Sequence, residues 1–186
     1  EVISPKPVTR FLTGDSTPDG RGGVLWFSQS DQRIHAADTD GNPIFSSTIP
    51  VEPVAATPQF IAQDRDGHVW VSRWTHDLFI LTDGRWEAVR PQEQRPWTIS
   101  DDNAKCWLQD RSGRIWIGTQ QGGVNVLDPR NSAVRIWQPA LSGATELWCV
   151  VPDGERLLLG TNGSGFLMLD RTNGSTDPVK PEPSSD

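Results

Sequence analysis

The 186-residue sequence has no tyrosine, one methionine, two cysteines and three histidines. It has no uninterrupted run of about 18 apolar residues, so we expect no insertion into a membrane. Basic residues are in the minority, with 17 Lys and Arg against 24 Asp and Glu and a formal net charge of −7. Because no basic stripe is available to neutralise phosphates, we exclude a nucleic-acid partner.

The two cysteines are too few for a disulfide framework. Cys106 and Cys149 each lie four residues before a recurring aspartate, and Phe60 and Phe11 hold the same position in other copies of the repeat described next. A position that accepts either phenylalanine or cysteine predicts a buried packing slot. We therefore expect buried thiols rather than a disulfide or a metal pair, which leaves the redox state of the compartment open.

The sequence does contain many turn formers, with 17 glycines and 15 prolines, and a motif that occurs four times. The four copies are PDGRGGVLWFSQ from Pro18, DRDGHVWVSR from Asp64, DRSGRIWIGT from Asp110 and PDGERLLLGT from Pro152. Phe27, Val71, Ile117 and Leu159 are equivalent, so the copies are spaced by 44, 46 and 42 residues. A period in this range, with strand signals and no helical stripe, predicts a β-propeller.

Each copy divides into four short strands, most clearly in the third. Its strands are NAKCWLQD (103–110), RIWIGT (114–119), GVNVLDPRN (123–131) and AVRIWQP (133–139). Asp-Arg-Ser-Gly between the first two strands suits a type I turn followed by a left-handed residue. We therefore predict an all-β β-propeller of four tandem four-stranded blades. It is either a closed four-bladed ring or part of a larger ring completed by another chain or a missing segment.

The repeat predicts the domain boundaries. Residues 175–186 contain one large apolar residue, Val179, so they read as a linker or disordered tail. The last blade would then lack its outer strand or borrow one, for example from Val2-Ile3. The predicted segments are an N-terminal extension at 1–7 and a propeller at 8–174, with blades at about 8–50, 51–98, 99–143 and 144–174.

The third copy, QDRSGRIWIGTQQGGVNVLDP, resembles the two-component regulator propeller repeat. The fourth copy has Leu158 in place of the tryptophan, and the first two have Ser-Gln and Ser-Arg in place of Gly-Thr. The resemblance implies an extracytoplasmic sensor domain like those of bacterial hybrid histidine kinases, in which bound ligands are often oligosaccharides. It implies a periplasmic or extracellular location. The repeat is similar, more weakly, to that of streptogramin lyases.

In a propeller the loops between second and third strands and the segments between blades line one rim, which is the usual entrance for a ligand. A tryptophan face surrounded by Arg, Gln, Asn and Asp side chains suits a sugar. In the alternative interpretation Trp74 and Trp97 pack between blades and Arg73 is solvated. The predicted ligand-binding residues are Arg73, Trp74, His76, Trp97, Asp102, Gln120, Gln121 and Asn162.

The sequence offers no catalytic or metal-binding constellation. His35, His68 and His76 lack the spacing of metal ligands, and only His76 lies on the predicted rim, where no acid is paired with it. Asp64, Asp110 and Asp153 resemble the start of a calcium loop but lack its later acidic ligands, so we expect them to stabilise turns. We predict no cofactor and no enzymatic activity.

Three functions remain open. The first is a sensor module that binds a small molecule or glycan. The second is a structural propeller for protein partners, which includes association with another propeller chain. The third is a lyase that uses His76.

Overall fold

The computed structural model describes residues 23–28, 30–49, 58–74, 77–91, 98–128, 133–137 and 146–180. Within them the secondary structure is entirely strands and turns, and none of it is a helix that could cross a membrane. In chain order the strands are β1 (Val24–Ser28), β2 (Arg33–Ala37), β3 (Pro43–Thr48), β4 (Pro58–Gln63), β5 (Val69–Arg73), β6 (Asp77–Thr82), β7 (Arg85–Val89), β8 (Ala104–Gln109), β9 (Ile115–Thr119), β10 (Val124–Asp128), β11 (Ala133–Trp137), β12 (Leu147–Asp153), β13 (Arg156–Thr161), β14 (Phe166–Asp170) and β15 (Thr176–Pro178).

The strands form four antiparallel sheets in which neighbours in sequence are neighbours in space. Sheet 1 contains β1–β3, sheet 2 β4–β7, sheet 3 β8–β11 and sheet 4 β12–β15. Sheets 2, 3 and 4 each have four strands, as predicted from the repeat. The strand expected before β1, at about residues 7–13, lies outside the described residues.

The hairpin between the first two strands of sheets 2 and 3 is built by an aspartate. In sheet 3, Oδ1 of Asp110 accepts hydrogen bonds from the backbone N–H of Ser112 (2.8 Å) and of Arg114 (3.1 Å). Gly113 completes the turn with a φ of 88°, a left-handed conformation that glycine adopts without strain. Asp64 and Gly67 repeat this arrangement in sheet 2. The prediction of turn-stabilising aspartates is confirmed for these two.

The same aspartates fix the motif tryptophan. The indole N–H of Trp116 donates to Oδ2 of Asp110 at 2.9 Å, and that of Trp70 donates to Oδ2 of Asp64 at 2.9 Å. Both indoles are buried, so their N–H groups need a partner inside the protein. The spacing Asp-x5-Trp therefore joins a tight turn to the packing of the following strand.

Sheets 2, 3 and 4 share a packing slot two residue pairs further along the first two strands, on the same face as the motif tryptophan position. Cys106 is directly opposite Gly118, Cys149 is opposite Gly160, and the equivalent pair in sheet 2 is Phe60 and Ser72. A Cβ placed on Gly118 would lie 2.5 Å from Sγ of Cys106. It would also lie 3.1 Å from Cβ of Leu147 in sheet 4, so the glycine makes room both for the side chain on the neighbouring strand and for the adjacent sheet.

The thiols in this slot are free, and both cysteines are half-buried. Desolvation raises the pKa of the Cys106 thiol to about 12. Both cysteines occupy equivalent packing slots as expected, although neither is fully buried.

The chain divides into two compact units, residues 1–90 and 91–186. The core of the first unit lies between sheets 1 and 2. Phe27 and Ile34 of sheet 1 share a cluster with Val71 and Phe79 of sheet 2. The indole of Trp86 in sheet 2 also donates to Oγ of Ser47 in sheet 1 at 3.0 Å. Trp86 therefore links the two sheets through both packing and a hydrogen bond.

The core of the second unit lies between sheets 3 and 4. Trp116 and Val126 of sheet 3 cluster with Leu159 and Leu167 of sheet 4. Arg171, in the turn between β14 and β15, donates to Oδ2 of Asp110 and places its guanidinium 5.4 Å from the centroid of Trp116. An ion pair and a cation–π contact thus join the two sheets at the end of the Trp116 side chain.

The two units pack their sheets differently. Sheet 3 covers sheet 4 with its Trp116 face, but sheet 1 covers sheet 2 with its Phe27 face, opposite the face of the equivalent Trp26. The physical reason is polarity, because the Trp26 face of sheet 1 also carries Arg33 and His35. These make hydrogen bonds to Ser46, Thr48 and Asp31.

The expected linker at residues 175–186 requires a correction at its start, whereas residues 181–186 lie outside the described residues. Thr176–Pro178 form β15, which pairs with β14 through Leu169, Met168 and Leu167. The segment lacks apolar residues because β15 lies at the sheet edge, where two of its three residues are exposed and backbone hydrogen bonds suffice. Val179 continues the pairing by donating its N–H to the carbonyl of Phe166 at 2.9 Å.

The Asp110 contacts predict a pH-dependent loss of stability. Burial opposes ionisation, but hydrogen bonds from Ser112 and Trp116 and the charge of Arg171 outweigh it and lower the pKa of Asp110 to about 2. The contribution of ionised Asp110 to the free energy of unfolding is therefore fully present above the ordinary pKa of 3.8. It is lost as the pH falls through the folded-state pKa of about 2.

We expect Asp110→Asn to reduce the free energy of unfolding at neutral pH by about 1–3 kcal/mol. The difference from the parent protein should shrink below the ordinary aspartate pKa. Denaturant titrations across pH measure it. Asp153→Asn, at the equivalent but exposed position, is the control and should have little effect. Equal losses in both variants would contradict the role of Asp110.

The slot at Gly118 predicts a second effect on stability. We expect Gly118→Ala to lower the free energy of unfolding by about 1–3 kcal/mol, because the new methyl group overlaps Sγ of Cys106. Adding Cys106→Ala should recover part of that loss. A double-mutant cycle measured by thermal and denaturant unfolding tests this, and strictly additive effects would count against the contact.

Candidate functional site

One rim of the second unit is organised by the Gly-Thr part of the motif. Thr119 donates its N–H and its hydroxyl to the carbonyl of Gly123, each at 3.0 Å. Thr161 makes the same two bonds to Gly165, at 3.0 Å from its N–H and 2.8 Å from its hydroxyl. Each threonine therefore closes a short loop that projects the following residue, Gln120 or Asn162, from the sheet.

Each loop is also bound to the segment that enters its sheet. The N–H of Gln120 donates to the carbonyl of Asn103, and the N–H of Asn162 donates to the carbonyl of Glu146, both at 3.0 Å. Asn103 and Glu146 are equivalent residues, each immediately before the first strand of its sheet. The repeat thus places two pairs of polar residues on the same rim.

The two pairs are joined by their side chains. The side-chain amide of Asn103 donates to Oε1 of Gln120, whose own amide donates to Oε1 of Glu146. On its other oxygen, Oε2, Glu146 accepts hydrogen bonds from Nδ2 of Asn162 at 2.9 Å and from the indole of Trp148 at 3.2 Å. We call Gln120, Glu146, Trp148 and Asn162 the rim cluster.

Trp148 owes its position to a β-bulge. The pairing of β12 with β13 shifts register between Leu147 and Cys149, which leaves Trp148 unpaired. Its side chain is 52% exposed, although its N–H is held by Glu146. The bulge recurs at Lys105 in sheet 3, where the register shifts between Ala104 and Cys106. Bulges of this kind re-aim a side chain at a functional surface.

Glu146 is the charged centre of the cluster. Hydrogen bonds from Asn162 and Trp148 outweigh the effect of burial and lower its pKa below the ordinary value of 4.5, with further contributions from the charge of Lys105 and from Gln120. The carboxylate therefore stays ionised as an acceptor over a wide pH range. The positive charge of Lys105 partly offsets the negative charge of Glu146.

Asp101 fixes the neighbouring part of the rim. Its Oδ1 accepts a hydrogen bond from the N–H of Asn103 at 3.0 Å, and its Oδ2 accepts one from the N–H of Gln121 at 2.8 Å. The side chain of Asn103 is buried, and its Oδ1 has no hydrogen-bond partner among the described residues. The rim thus includes a fixed acceptor beneath Gln120.

Four of the predicted ligand-binding residues lie on this rim. Gln120 and Asn162 belong to the rim cluster, whereas Gln121 is exposed beside it. Asp102 is half-buried in the same segment as Asp101. These four residues therefore lie on the same rim, and their role in binding a ligand stays a prediction.

Two more predicted residues lie in the first unit, and two are outside the described residues. Arg73 is only 4% exposed, and its Nη2 donates to Oδ2 of Asp77 at 3.0 Å. Trp74 follows it and is 45% exposed. Trp74 occupies the repeat position of Gln120 and Asn162. His76 and Trp97 lie outside the described residues.

Glu146 and Trp148 were not among the predicted site residues. Glu146 could have been found from its place immediately before a first strand, equivalent to Asn103. Trp148 was assigned to a regular strand, where alternation gives no reason to expect exposure on the rim. The bulge sets its position, and its exposure also depends on the uncovered outer face of sheet 4, because Lys105 at the equivalent bulge is only 8% exposed.

Asp64, Asp66 and His68 form a potential metal group, with ligand atoms within 4.8 Å of one another. Both oxygens of Asp64 are already hydrogen-bonded. The backbone N–H groups of Asp66 and His68 donate to Oδ1, and Trp70 donates to Oδ2, which also lies 2.9 Å from Nδ1 of His68. These contacts account for the cluster as a structural turn.

The family comparison supports the resemblance drawn from the repeat. Residues 98–121 match the family model described as two component regulator propeller. The matched segment contains β8, the Asp110 turn, β9 and the start of the rim loop. The recognition of this repeat is confirmed on that segment. A comparison with curated protein sequences found no match.

Solved structures identify the fold as a β-propeller. Virginiamycin B lyase from Staphylococcus aureus superposes with a TM-score of 0.65 at 15% identity, covering 94% of this chain and 56% of that chain. The extracellular domain of a putative hybrid two component system from B. thetaiotaomicron gives 0.60 at 17%, covering 95% and 22%. The Swd1 β-propeller domain from Myceliophteria thermophila gives 0.59 at 13%, covering 89% and 56%.

At these identities the superpositions establish the fold alone. The chain is an all-β β-propeller module, and it spans less than two thirds of the length of each of these structures.

Proposed function

We propose that this propeller is a non-enzymatic module that binds a neutral carbohydrate at the rim of sheets 3 and 4, on the extracytoplasmic side of a bacterial cell. The observation that carries the proposal is the rim cluster, in which Gln120, Glu146 and Asn162 surround the exposed indole of Trp148. It rests on the chemistry of these four side chains.

The cluster combines the two kinds of contact that a sugar uses. The exposed indole offers a flat apolar surface for the C–H face of a pyranose ring. Beside it, the amide of Asn162 and the carboxylate of Glu146 offer fixed donors and acceptors for hydroxyl groups. Because Lys105 offsets the charge of Glu146, the site favours a neutral ligand over a strongly charged one.

The same geometry argues against catalysis by this cluster. A general base must accept a proton readily near the working pH. The carboxylate of Glu146 already accepts three hydrogen bonds, and its pKa is lowered rather than raised. The cluster is therefore suited to orienting a ligand and poorly suited to removing its protons.

The extracytoplasmic location draws support from two findings. Residues 98–121 match the two component regulator propeller model, and one structurally similar protein is the extracellular domain of a putative hybrid two component system. A sensor of this class would present its rim to ligands outside the cytoplasm.

Replacing the exposed indole tests the proposal directly. The protein is titrated with a panel of neutral oligosaccharides made of glucose, mannose, xylose or N-acetylglucosamine units, and binding is followed by tryptophan fluorescence and calorimetry. For the oligosaccharide that binds, we expect Trp148→Ala to weaken affinity by about tenfold or more, or about 1.4 kcal/mol. The matched control is Ile44→Ala, which removes an exposed apolar side chain of sheet 1 in the other unit. No binding across the panel, or equal losses in both variants, would overturn the proposal.

The charge of Glu146 provides a second test. In Glu146→Gln one carboxylate oxygen becomes an NH2 group, which would face the donor of Gln120 or the donors of Asn162 and Trp148. The cluster would therefore lose one of its two acceptor oxygens together with the negative charge. We expect affinity to fall by about tenfold, while the free energy of unfolding changes little because the side chain is near solvent. Glu155→Gln, on an exposed turn of the same sheet, is the control. Unchanged affinity in Glu146→Gln would show that the cluster does not organise the ligand.

A further inference from the structure

The outer face of sheet 4 is an apolar surface at the end of the second unit. Two rows of paired residues form it. The first row is Cys149, Gly160 and Phe166, and the second is Val151, Leu158 and Met168. Phe166 is 54% exposed and Val151 is 46% exposed. Large apolar side chains grouped in this way on a surface indicate an interaction site.

The equivalent face of sheet 3 shows what such a surface does. Its rows are Cys106, Gly118 and Val124, and Leu108, Trp116 and Val126. Cys106, Leu108, Trp116, Val124 and Val126 all belong to the cluster that sheet 4 completes with its leucine-rich inner face. The face of sheet 3 that is equivalent to the exposed outer face of sheet 4 is therefore covered by a neighbouring sheet.

The substitutions between the two faces preserve a packing surface. Trp116 is replaced by Leu158, which removes volume, whereas Val124 and Val126 are replaced by the larger Phe166 and Met168. Losses and gains of volume of this kind are tolerated in cores when the total is kept. The two rows contain no charged residue on β12, β13 and β14. The first charged residue is Asp177, which lies opposite Met168 on edge strand β15.

Sheet 1 shows that an outer face in this protein need not be apolar. The face of sheet 1 opposite its core contains Arg33, whose guanidinium donates to Oγ of Ser46 at 2.6 Å and to Oγ1 of Thr48 at 3.0 Å. His35 stacks on Trp26 with ring centroids 5.2 Å apart and lies 3.0 Å from the carboxylate of Asp31. The fold therefore does not impose an apolar outer face on every sheet.

We propose that the outer face of sheet 4 is the docking surface for a further four-stranded propeller sheet of the same repeat. The interface between sheets 3 and 4 defines the chemistry of this partner. It must present an inner face like that of sheet 4, with leucine or valine at the positions of Val150, Leu159 and Leu167.

The partner does not need an arginine at the position of Arg171. That residue serves the buried pair Asp110 and Trp116, whereas sheet 4 has the exposed Asp153 and Leu158 at these positions. The docking surface therefore depends on apolar packing without the ion pair. Propellers that match this fold contain more chain than these residues supply, as the 56% and 22% coverages show.

The test extends the full chain after Lys180 with a second copy of residues 138–180, whose sheet carries the required inner face. Met168 is the one methionine in the sequence and lies on the docking surface, so its oxidation by dilute peroxide reports coverage. In the appended copy this methionine is changed to leucine, so that only the original residue reacts. We expect its oxidation, measured by mass spectrometry, to slow by about fivefold or more relative to the unextended protein.

Two variants of the extended protein test the surface itself. Phe166→Asp in the original sheet, or Val151→Asp as a second choice, should restore rapid oxidation while circular dichroism and tryptophan emission show that the fold is kept. Ile44→Asp, at a 40% exposed position of sheet 1, is the matched control and should leave Met168 protected. Unchanged oxidation in a folded extended protein would overturn the proposal. A dimeric mass of the unextended protein would also overturn the proposal if Phe166→Asp returned that mass to the monomer value. The occupant of the surface would then be a second copy of the chain.

Discussion

Strands that are apolar on both sides impose the main constraint on this protein. Every residue of β5 and of β9 is buried, so these strands have no solvent side. A sheet containing such a strand is stable only when both of its faces are covered. In the second unit, sheets 3 and 4 meet through their apolar rows, and Arg171 adds an ion pair to Asp110 and a cation–π contact with Trp116. Apolar coverage determines the stacking, and polar contacts at the sheet ends make it specific.

The candidate site follows from the same repetition. The bonds from Gln120 to Asn103 and from Asn162 to Glu146 use only backbone atoms, so the repeat makes them whatever side chains occur there. Stacking then places one such pair beside the next, close enough for the amide of Gln120 to reach Glu146. Constant backbone geometry thus presents variable side chains along a rim. The binding chemistry depends on the residues at these positions and the stability does not.

Much of this could be predicted from the sequence, because the features involved are local. Asp110, Gly113 and Trp116 lie within seven residues, and the turn and strand they form follow from that spacing. The position of Trp148 on the rim could not be predicted, since it depends on a register shift between β12 and β13 that no single residue signals. Strand β15 was missed because an edge strand is held by backbone bonds and needs few apolar residues. The packing of sheet 1 was not predicted, because aligning the repeats does not show which face of that sheet is polar.

The docking surface and the rim cluster are physically linked through β12. In the pair of sheets 3 and 4, the residue before the first strand of the later sheet, Glu146, binds the loop residue of the earlier sheet, Gln120. A sheet docked on Phe166 and Val151 would bring its own entering segment next to Asn162 in the same way. Its first strand would also lie along β12, beside the bulge that carries Trp148. At the equivalent bulge of sheet 3, Lys105 is only 8% exposed where sheet 4 covers it. Docking would therefore reduce the exposed area of Trp148 and place additional polar groups opposite Asn162. A carbohydrate would then reach only the part of the indole that the docked sheet leaves uncovered.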